Sequence, residues 1–235
     1  MWVAGNIAAE ICLEDGGIDS IDLVYHAGGT PSVASSQSFV RMNCHPQFYL
    51  SYGELVQWPA ATAFDVSVPG IHQIQKTLPW GGGGEPVWYE GDSRVSNCQV
   101  LTALKREVID YVVGLMKEFE EKYKHATREE QDRATNEWGS ALIDQEPPRQ
   151  HPDIDRVLIS CLARGRTRSR HVSLPNACSY TQTAVIAVAA IQRLLSGRVS
   201  VAGFAPPAAA FGARYLINAM SDEGLHCHID DLAAS

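Results

Sequence analysis

The sequence predicts an α+β fold in which a mixed, mostly antiparallel sheet is covered by helices on one face. Apolar residues recur at every second position at Ile21, Leu23 and Tyr25, which is the period of a strand, and this strand ends at Gly28-Gly29. Short runs of β-branched and aromatic residues follow between 47 and 78. Apolar residues three and four apart between 100 and 123 are typical of an amphipathic helix. Strands and helices are thus both present.

The first half of the chain is predicted to be mainly sheet. After the first strand, Thr30 can cap a helix whose first position is Pro31 and which runs to about Met42. The segment 47–58 is typical of a hairpin that turns at Gly53-Glu54, and strands are expected near 64–68 and 73–78.

The second half is predicted to alternate between helices and one hairpin. A helix over Val100–Tyr123 is followed by a capping box at Thr127–Glu130 that begins a second helix. The proline-rich stretch 146–152 is expected to be a loop. The remaining expected elements are strands at 156–163 and 168–174, a helix over 180–195 capped by Ser179, and a helix that opens at Pro206-Pro207 and ends near Gly224.

Length and composition favour a single domain over residues 1–235, with a loosely held tail at 225–235. A chain of 235 residues can bury one large core, and 45% hydrophobic with 20% charged residues is ordinary for a globular protein. The start of the chain has no basic segment followed by an apolar one, so we expect no secretory signal. The longest apolar stretch, 184–191, is too short to span a bilayer.

Net charge and cysteine usage restrict the partners and the compartment. A net charge of −8 is unfavourable for binding nucleic acid or an anionic membrane, since both require clustered Lys and Arg. The six cysteines have no paired spacing, which indicates reduced thiols and a cytoplasmic location. We therefore expect a small-molecule ligand, with no nucleic acid and no membrane as partners.

Four consecutive glycines, Gly81–Gly84, invite comparison with phosphate-binding loops. They are followed by Glu85-Pro86, and the chain has neither GxGxxG nor GK[ST], so no nucleotide cofactor or other cofactor is expected. The interpretation we favour is a loop that closes over an apolar ligand, with aromatic walls. Simple packing of these aromatic residues is the alternative. The residues concerned are Trp58, Trp80, Trp88 and Tyr89.

The turn at Gly28–Ser32 offers backbone N–H groups and two hydroxyls at the end of a strand. Thr30 and Ser32 could hold a carboxylate or a developing oxyanion, or the glycines could simply permit a tight turn. Three side chains are candidates for proton transfer: His26, His171 and Tyr180. A structural role for a lone histidine is the alternative. His226 and His228 lie so close to the end of the chain that no metal site is expected there.

Several short motifs together resemble the saccharopine dehydrogenase-like reductases. They are the run 2–10 (WVAGNIAAE), the strand that ends in Gly28–Ser32, the stretch 180–183 (YTQT), and 203–212 (GFAPPAAAFG). The resemblance is to the part of that family that follows the cofactor domain. It implies a substrate-binding domain that commonly mediates dimerisation, so a homodimer is expected, with a pocket floor at Gly28–Ser32. The Rossmann half of the family is missing from this sequence.

The sequence thus predicts a cofactor-independent enzyme of the isomerase, cyclase or lyase type. Its substrate would be an apolar, carbonyl-bearing small molecule such as an intermediate of natural-product biosynthesis. The alternative is a non-catalytic subunit that docks to a separate Rossmann-domain protein and completes a split NAD(P)-dependent reductase. A third interpretation is a domain excised from a longer protein.

Overall fold

The fold is a nine-stranded mixed sheet with eight helices, seen in a computed structural model that describes residues 2–143, 155–176, 178–222, 224 and 226–232. The strands are β1 (Ser20–Ala27), β2 (Phe48–Ser51), β3 (Glu54–Gln57), β4 (Phe64–Val66), β5 (Gln75–Pro79), β6 (Asn97–Ala103), β7 (Val157–Arg164), β8 (Ser169–Asn176) and β9 (His228–Leu232). The helices are α1 (Trp2–Cys12), α2 (Val33–Cys44), α3 (Glu85–Trp88), α4 (Arg106–Lys122), α5 (Arg128–Ala141), α6 (Ser179–Leu195), α7 (Pro207–Phe211) and α8 (Ala213–Asp222).

The strands are arranged in the order β3-β2-β6-β1-β7-β8-β9, and β5 with its neighbour β4 joins at β6. β1 and β6 run parallel, and the other registers are antiparallel. Leu23 in β1 faces Cys161 in β7 and Val100 in β6, which fixes the centre of the sheet. The predicted α+β class with a mostly antiparallel sheet is confirmed.

Helices α1 and α4 pack on the same face of the sheet. Ile21, Leu23 and Tyr25 are buried and share a core cluster with α1. In β5, Leu78 pairs with Thr102, which itself pairs with Tyr25, so Leu78 lies on the same face, where it packs against α4. We call this side the helix face. The opposite side, which carries alternate residues of β1 such as Asp22 and Val24, is called the outer face.

Two local predictions can be compared with the structure in detail. The predicted hairpin β2–β3 is present, but it turns at Tyr52-Gly53, one residue earlier than the expected Gly53-Glu54; φ there is 52° and 82°, as a tight turn with two left-handed residues requires. Helix α5 begins with a complete capping box, since the Thr127 hydroxyl accepts from the Glu130 N–H and the Glu130 carboxylate accepts from the Thr127 N–H.

The predicted helix over Val100–Tyr123 is wrong in its first part. Residues 97–103 form β6, and the helix begins only at Arg106. Val100, Leu101 and Ala103 are all buried, because the second half of β6 is covered on both faces of the sheet. A strand of this kind loses the alternation that identifies strands, and Leu101 and Leu104 then match helical spacing by coincidence.

The other corrections concern helix boundaries and the two ends of the chain. α2 is capped by Ser32 and not by Thr30, and α6 begins at Ser179 with Cys178 as its cap. The single helix expected after Pro206-Pro207 is divided at Gly212, whose φ is 85°. Three elements were not anticipated: α1, the short helix α3, and strand β9 within the predicted loose tail. The predicted loop at 146–152 lies outside the described residues.

None of the helices in the described parts of the chain is both long and apolar enough to cross a bilayer.

Candidate functional site

The Tyr180 site, which consists of Tyr180, Ser32 and Ser35, brings three hydroxyl groups together. The Ser32 backbone N–H donates to the Tyr180 hydroxyl oxygen at 2.9 Å, and the Ser35 hydroxyl lies 3.0 Å from the same oxygen. The Ser32 hydroxyl in turn donates to the Ser35 hydroxyl at 3.1 Å. The phenol of a residue in α6 is therefore fixed at the first turn of α2, which is 148 residues earlier in the sequence.

The surroundings of this phenol favour its ionised form. Burial raises the pKa of Tyr180, but the hydrogen bonds from Ser32 and Ser35 outweigh burial, so the net pKa lies below the usual 10.0. The first turn of a helix presents unpaired N–H groups and the positive end of the helix dipole, which stabilise an anion further. Tyr180 is 42% exposed, so a ligand can reach it.

The turn that leads into the site depends on its glycines. Gly29 has φ of 86°, and a side chain on Gly28 would lie 2.3 Å from the carbonyl oxygen of Arg156. The backbone that follows β1 therefore packs directly against Arg156, just before β7 begins. The Ser32 hydroxyl accepts from the Ser35 N–H as the helix cap, whereas Thr30 is exposed.

The structure places His26 at the same end of the sheet as the Tyr180 site. Ala27 pairs with Val157, which pairs with Asn176 at the end of β8, shortly before α6 begins. His26 lies one residue earlier in β1, on the outer face, and is partly buried. Of the predicted site residues, Tyr180 and Ser32 are in contact, while Thr30 and His26 lie in the adjoining turn and strand end.

His171 belongs to a different cluster. It lies five positions before Asn176 in β8, which corresponds to roughly 17 Å of strand. Its Nε2 is 2.8 Å from the Ser160 hydroxyl, and its Nδ1 is 4.0 Å from the Asp230 carboxylate. Burial lowers the pKa of His171, and the opposing effect of Asp230 is smaller, so the imidazole is neutral near pH 7.

The order serine, histidine, aspartate across β7, β8 and β9 is that of a nucleophilic triad. The Ser160 side chain, however, is 2% exposed in the middle of the sheet, where the backbone N–H groups are occupied by ladder hydrogen bonds. A nucleophile needs both access and donors for the oxyanion. This cluster therefore fits a structural role.

The four predicted aromatic wall residues do not form one pocket. Trp80 and Tyr89 are buried in the main core, and the Tyr89 hydroxyl donates to Glu10 at 3.0 Å. Trp58 packs between Tyr49 and Phe64 at ring distances of 4.4 and 4.9 Å. Trp88 is partly buried, in α3.

The glycine run lets the indole rings pack directly on the backbone. A side chain on Gly82 would meet the Trp80 ring at 2.5 Å, and one on Gly84 would meet the Trp88 ring at 2.9 Å. Gly82 and Gly83 are themselves buried. Close packing therefore accounts for this segment.

A buried acidic pair on the helix face was not anticipated from the sequence. Tyr25 donates to the Glu85 carboxylate at 2.9 Å, and both side chains are completely buried. Burial raises the pKa of Glu85 to about 7, although the hydrogen bond from Tyr25 opposes this. A side chain on Gly5 would lie 1.8 Å from the Tyr25 hydroxyl, so no ligand can enter between them. The only signal in the sequence was a glutamate directly after four glycines.

A polar groove of about 410 Å³ lies on the outer face, at the end of β1 opposite to the Tyr180 site. Asp22 and Arg164 form an ion pair within it. Burial raises the pKa of Asp22, and Arg164 partly offsets this. Asp22 and Arg164 thus neutralise each other, and Asp19 and Arg166 also line the groove.

Two further observations concern cofactor and metal binding. Among the described strands β1 and β6 form a parallel pair, and the Arg156 carbonyl lies against Gly28 in the turn after β1. Within the described ranges, no group of three or more His, Cys, Asp or Glu side chains is placed to hold a metal ion.

Comparison with known proteins gives a family and a fold. A family model described as "Family of unknown function (DUF5938)" matches residues 3–229. The chain belongs to this family. No curated protein matches the DUF5938 chain.

A solved structure similar to this DUF5938 protein is "Apo histidine-tagged saccharopine dehydrogenase (L-Glu forming) from Saccharomyces cerevisiae". The TM-score is 0.57 at 13% sequence identity, and the match covers 98% of this chain and 71% of that chain. The saccharopine dehydrogenase-like fold expected from the sequence is therefore supported.

Proposed function

We propose that this DUF5938 protein is a cofactor-independent enzyme that transfers a proton at a carbon next to a carbonyl group, with Tyr180 as the acid or base. The observation that carries this proposal is the contact of the Tyr180 hydroxyl with the Ser32 N–H and the Ser35 hydroxyl at the start of α2. It builds on the saccharopine dehydrogenase-like fold as a substrate-binding domain, and the reaction class is isomerisation, cyclisation or elimination.

The proposed chemistry begins with Tyr180 as a base. A phenolate at Tyr180 removes the proton and leaves an enolate. In an isomerisation the phenol returns this proton to another carbon of the enolate; in an elimination the enolate electrons form a C=C bond as the bond to the leaving group breaks, and the leaving group takes up the proton. Ser32 and Ser35 stabilise the phenolate through the hydrogen bonds described above. The exposed Thr30 hydroxyl, together with the unpaired N–H groups of the first turn of α2, stabilises the enolate oxygen. His26, at the same end of the sheet, is the second proton carrier.

Hydrogen–deuterium exchange tests this proposal without knowledge of the product. The protein is incubated in D₂O with a panel of ketones, 2-oxo acids and enones, and deuterium incorporation next to the carbonyl is followed by mass spectrometry. We expect catalysed exchange with at least one apolar member. Tyr180→Phe should lower the rate about 100-fold or more, because general acid–base groups contribute 10²–10⁴.

Tyr111→Phe is the matched control. Tyr111 is 48% exposed on α4, similar to Tyr180, and its loss should leave the exchange rate unchanged. Exchange that survives in Tyr180→Phe, or no exchange across the panel, contradicts the proposal. Reduction of a panel member only after addition of NADPH and a Rossmann-domain protein would instead favour the split reductase.

A further inference from the structure

Charge is unevenly distributed along this chain. Residues 156–221 contain eight arginines and no aspartate or glutamate, so this segment carries a net charge of +8. The rest of the chain contains all 27 acidic residues and 11 of the 19 basic ones, which gives a net charge of −16. The expectation that an anionic membrane is not a partner used the net charge of −8, which conceals this separation.

The end of α6 and the loop that follows it, both within this basic segment, expose four large apolar side chains. Leu195 at the end of the helix is 84% exposed, and Phe204 in the loop is 94% exposed. Leu194 and Val201 are 55% and 43% exposed. Arg198 lies among them in the sequence and is exposed as well. We call these five residues the α6 tip.

The loop that carries Phe204 is held at its base. The Ser200 N–H donates to the Ala210 carbonyl at 3.0 Å, which ties the loop to α7. The Ala208 N–H donates to the side chain of the buried Asn6 at 2.8 Å, which ties α7 to α1. The loop is thus part of the packed structure and still leaves a group of apolar side chains in water. Such a group marks an interaction surface.

The last turn of α6 lies at the end of the molecule where α1 ends. Arg193 in this turn has its guanidinium 4.4 Å from the centre of the Tyr215 ring, in the first turn of α8. The neighbouring Arg214 donates to Glu14, just after α1, at 2.8 Å. The α6 tip, the start of α8 and the end of α1 are therefore connected through three arginines.

The hairpin between β7 and β8 reaches the same end of the molecule. A side chain on Gly165 in its turn would meet the carbonyl oxygen of Gly17, three residues after Glu14. Arg166 and Arg168 lie beside this turn and are exposed. Positive charge thus extends from the α6 tip across α8 to this hairpin.

We propose that the α6 tip binds a membrane surface that contains anionic lipids, with Leu195 and Phe204 inserted among the headgroups. Exposed apolar side chains accompanied by arginines are typical of segments that lie in the membrane interface. The basic segment is attracted by anionic headgroups, and the remainder of the chain, with its net charge of −16, is repelled by them. The molecule is therefore oriented with the tip toward the lipid.

The placement of charge selects a membrane over a protein as the occupant. A protein partner covers about 800 Å² of each molecule. The arginines are spread over α6, α8 and the β7–β8 hairpin, and an extended anionic surface attracts all of them together. Leu195 and Phe204 stand at a helix end and in a loop, where a fluid lipid layer accepts them without a matching pocket. Two inserted side chains and a few arginines give weak, reversible binding.

Co-sedimentation with vesicles tests this interaction. The full-length protein is mixed with vesicles of equal parts phosphatidylcholine and phosphatidylserine, and the bound fraction is measured against lipid concentration. We expect binding that weakens as NaCl is added, because salt screens the attraction. Binding to vesicles of phosphatidylcholine alone should be about tenfold weaker.

Phe204→Ser tests the apolar part of the tip. It should lower the partition coefficient about tenfold or more, because the phenyl ring is no longer transferred out of water. Ile74→Ser is the matched control, since Ile74 is 67% exposed just before β5, outside the basic segment. It should leave binding unchanged. Circular dichroism confirms that both variants are folded.

Arg198→Gln tests the charged part. It should lower the partition coefficient about fivefold and reduce the dependence on NaCl, because one arginine near an anionic surface is lost. Arg133→Gln is the matched control, since Arg133 is exposed on α5, outside the basic segment. It should bind as the wild type does.

Three results would overturn the proposal: no binding to the phosphatidylserine vesicles, equal binding to phosphatidylcholine alone, or equal effects of Phe204→Ser and Ile74→Ser. Sedimentation without vesicles that Phe204→Ser abolishes would assign the tip to self-association and would overturn it as well. The measurements contain no substrate, so they are independent of the proposed function.

Discussion

The two faces of the sheet hold buried titratable groups in opposite ways. On the helix face, Glu85 is completely buried against Tyr25, and burial raises the pKa of its carboxyl to about 7. On the outer face, His171 is held by Ser160 and lies near the exposed Asp230, and burial lowers the pKa of its imidazole. Burial thus shifts both groups toward their neutral forms, Glu85 toward holding its proton and His171 toward losing it.

The comparison separates burial from function. No ligand can reach either cluster. The backbone at Gly5 packs directly against Glu85 and Tyr25, and Ser160 is buried. The Tyr180 phenol differs from both because it is half exposed and because its hydrogen bonds lower its pKa, which shifts it toward the charged form. A perturbed pKa indicates a functional site when the group is also within reach of a substrate.

The largest expected effect on stability comes from Glu85, on the helix face. An acid whose folded pKa is raised is protonated in the folded state and ionised in the unfolded one between pH 4.5 and about 7, so stability falls as pH rises through this window. The loss amounts to about 3 kcal/mol at most. Glu85→Gln cannot ionise and still accepts the hydrogen bond from Tyr25, so it should not lose stability as pH rises. Urea denaturation at pH 8 should therefore find the variant more stable than the wild type.

Glu90→Gln is the control for that experiment, because Glu90 is exposed just after α3. It should follow the wild-type dependence of stability on pH. Parallel stability profiles for Glu85→Gln and wild type would show that Glu85 does not carry a raised pKa.

His171, on the outer face, is expected to have a smaller effect on stability, with the opposite dependence on pH. A histidine whose folded pKa is lowered takes up a proton more readily when unfolded, so its contribution to stability is present above pH 6.5 and is lost as pH falls below that value. His171→Gln should remove this acid sensitivity. It should cost about 1 kcal/mol at pH 8, because the hydrogen bond to Ser160 is weakened. His125→Gln, at an exposed position, should change neither quantity.

Most of the local structure could be predicted because its signals are local. The alternation in β1, the hairpin at Tyr52-Gly53 and the capping box at Thr127 each lie within a few residues. Strand β6 could not be recognised, since its second half is buried on both faces and therefore does not alternate. Strand β9 is exposed along its whole length and exists through its pairing with β8, which no local pattern reveals.

The candidate site was predictable only in parts. Tyr180 and Ser32 each attracted attention as polar groups at element boundaries, but their contact spans 148 residues and depends on the packing of α6 beside α2. The same reason hid the bond between Tyr25 and Glu85, which are 60 residues apart. Individual side chains can be selected from a sequence, whereas their pairing follows from tertiary structure.

Titration of the Tyr180 phenol tests the central claim most directly. The change in ultraviolet absorbance on phenol ionisation is recorded against pH for the wild-type protein and Tyr180→Phe, and the difference isolates Tyr180. We predict a pKa below the usual 10.0, and a higher pKa in Ser35→Ala, which lacks one of the stabilising hydrogen bonds. A Tyr180 phenol that titrates at or above 10, with or without Ser35, would contradict its assignment as the acid or base.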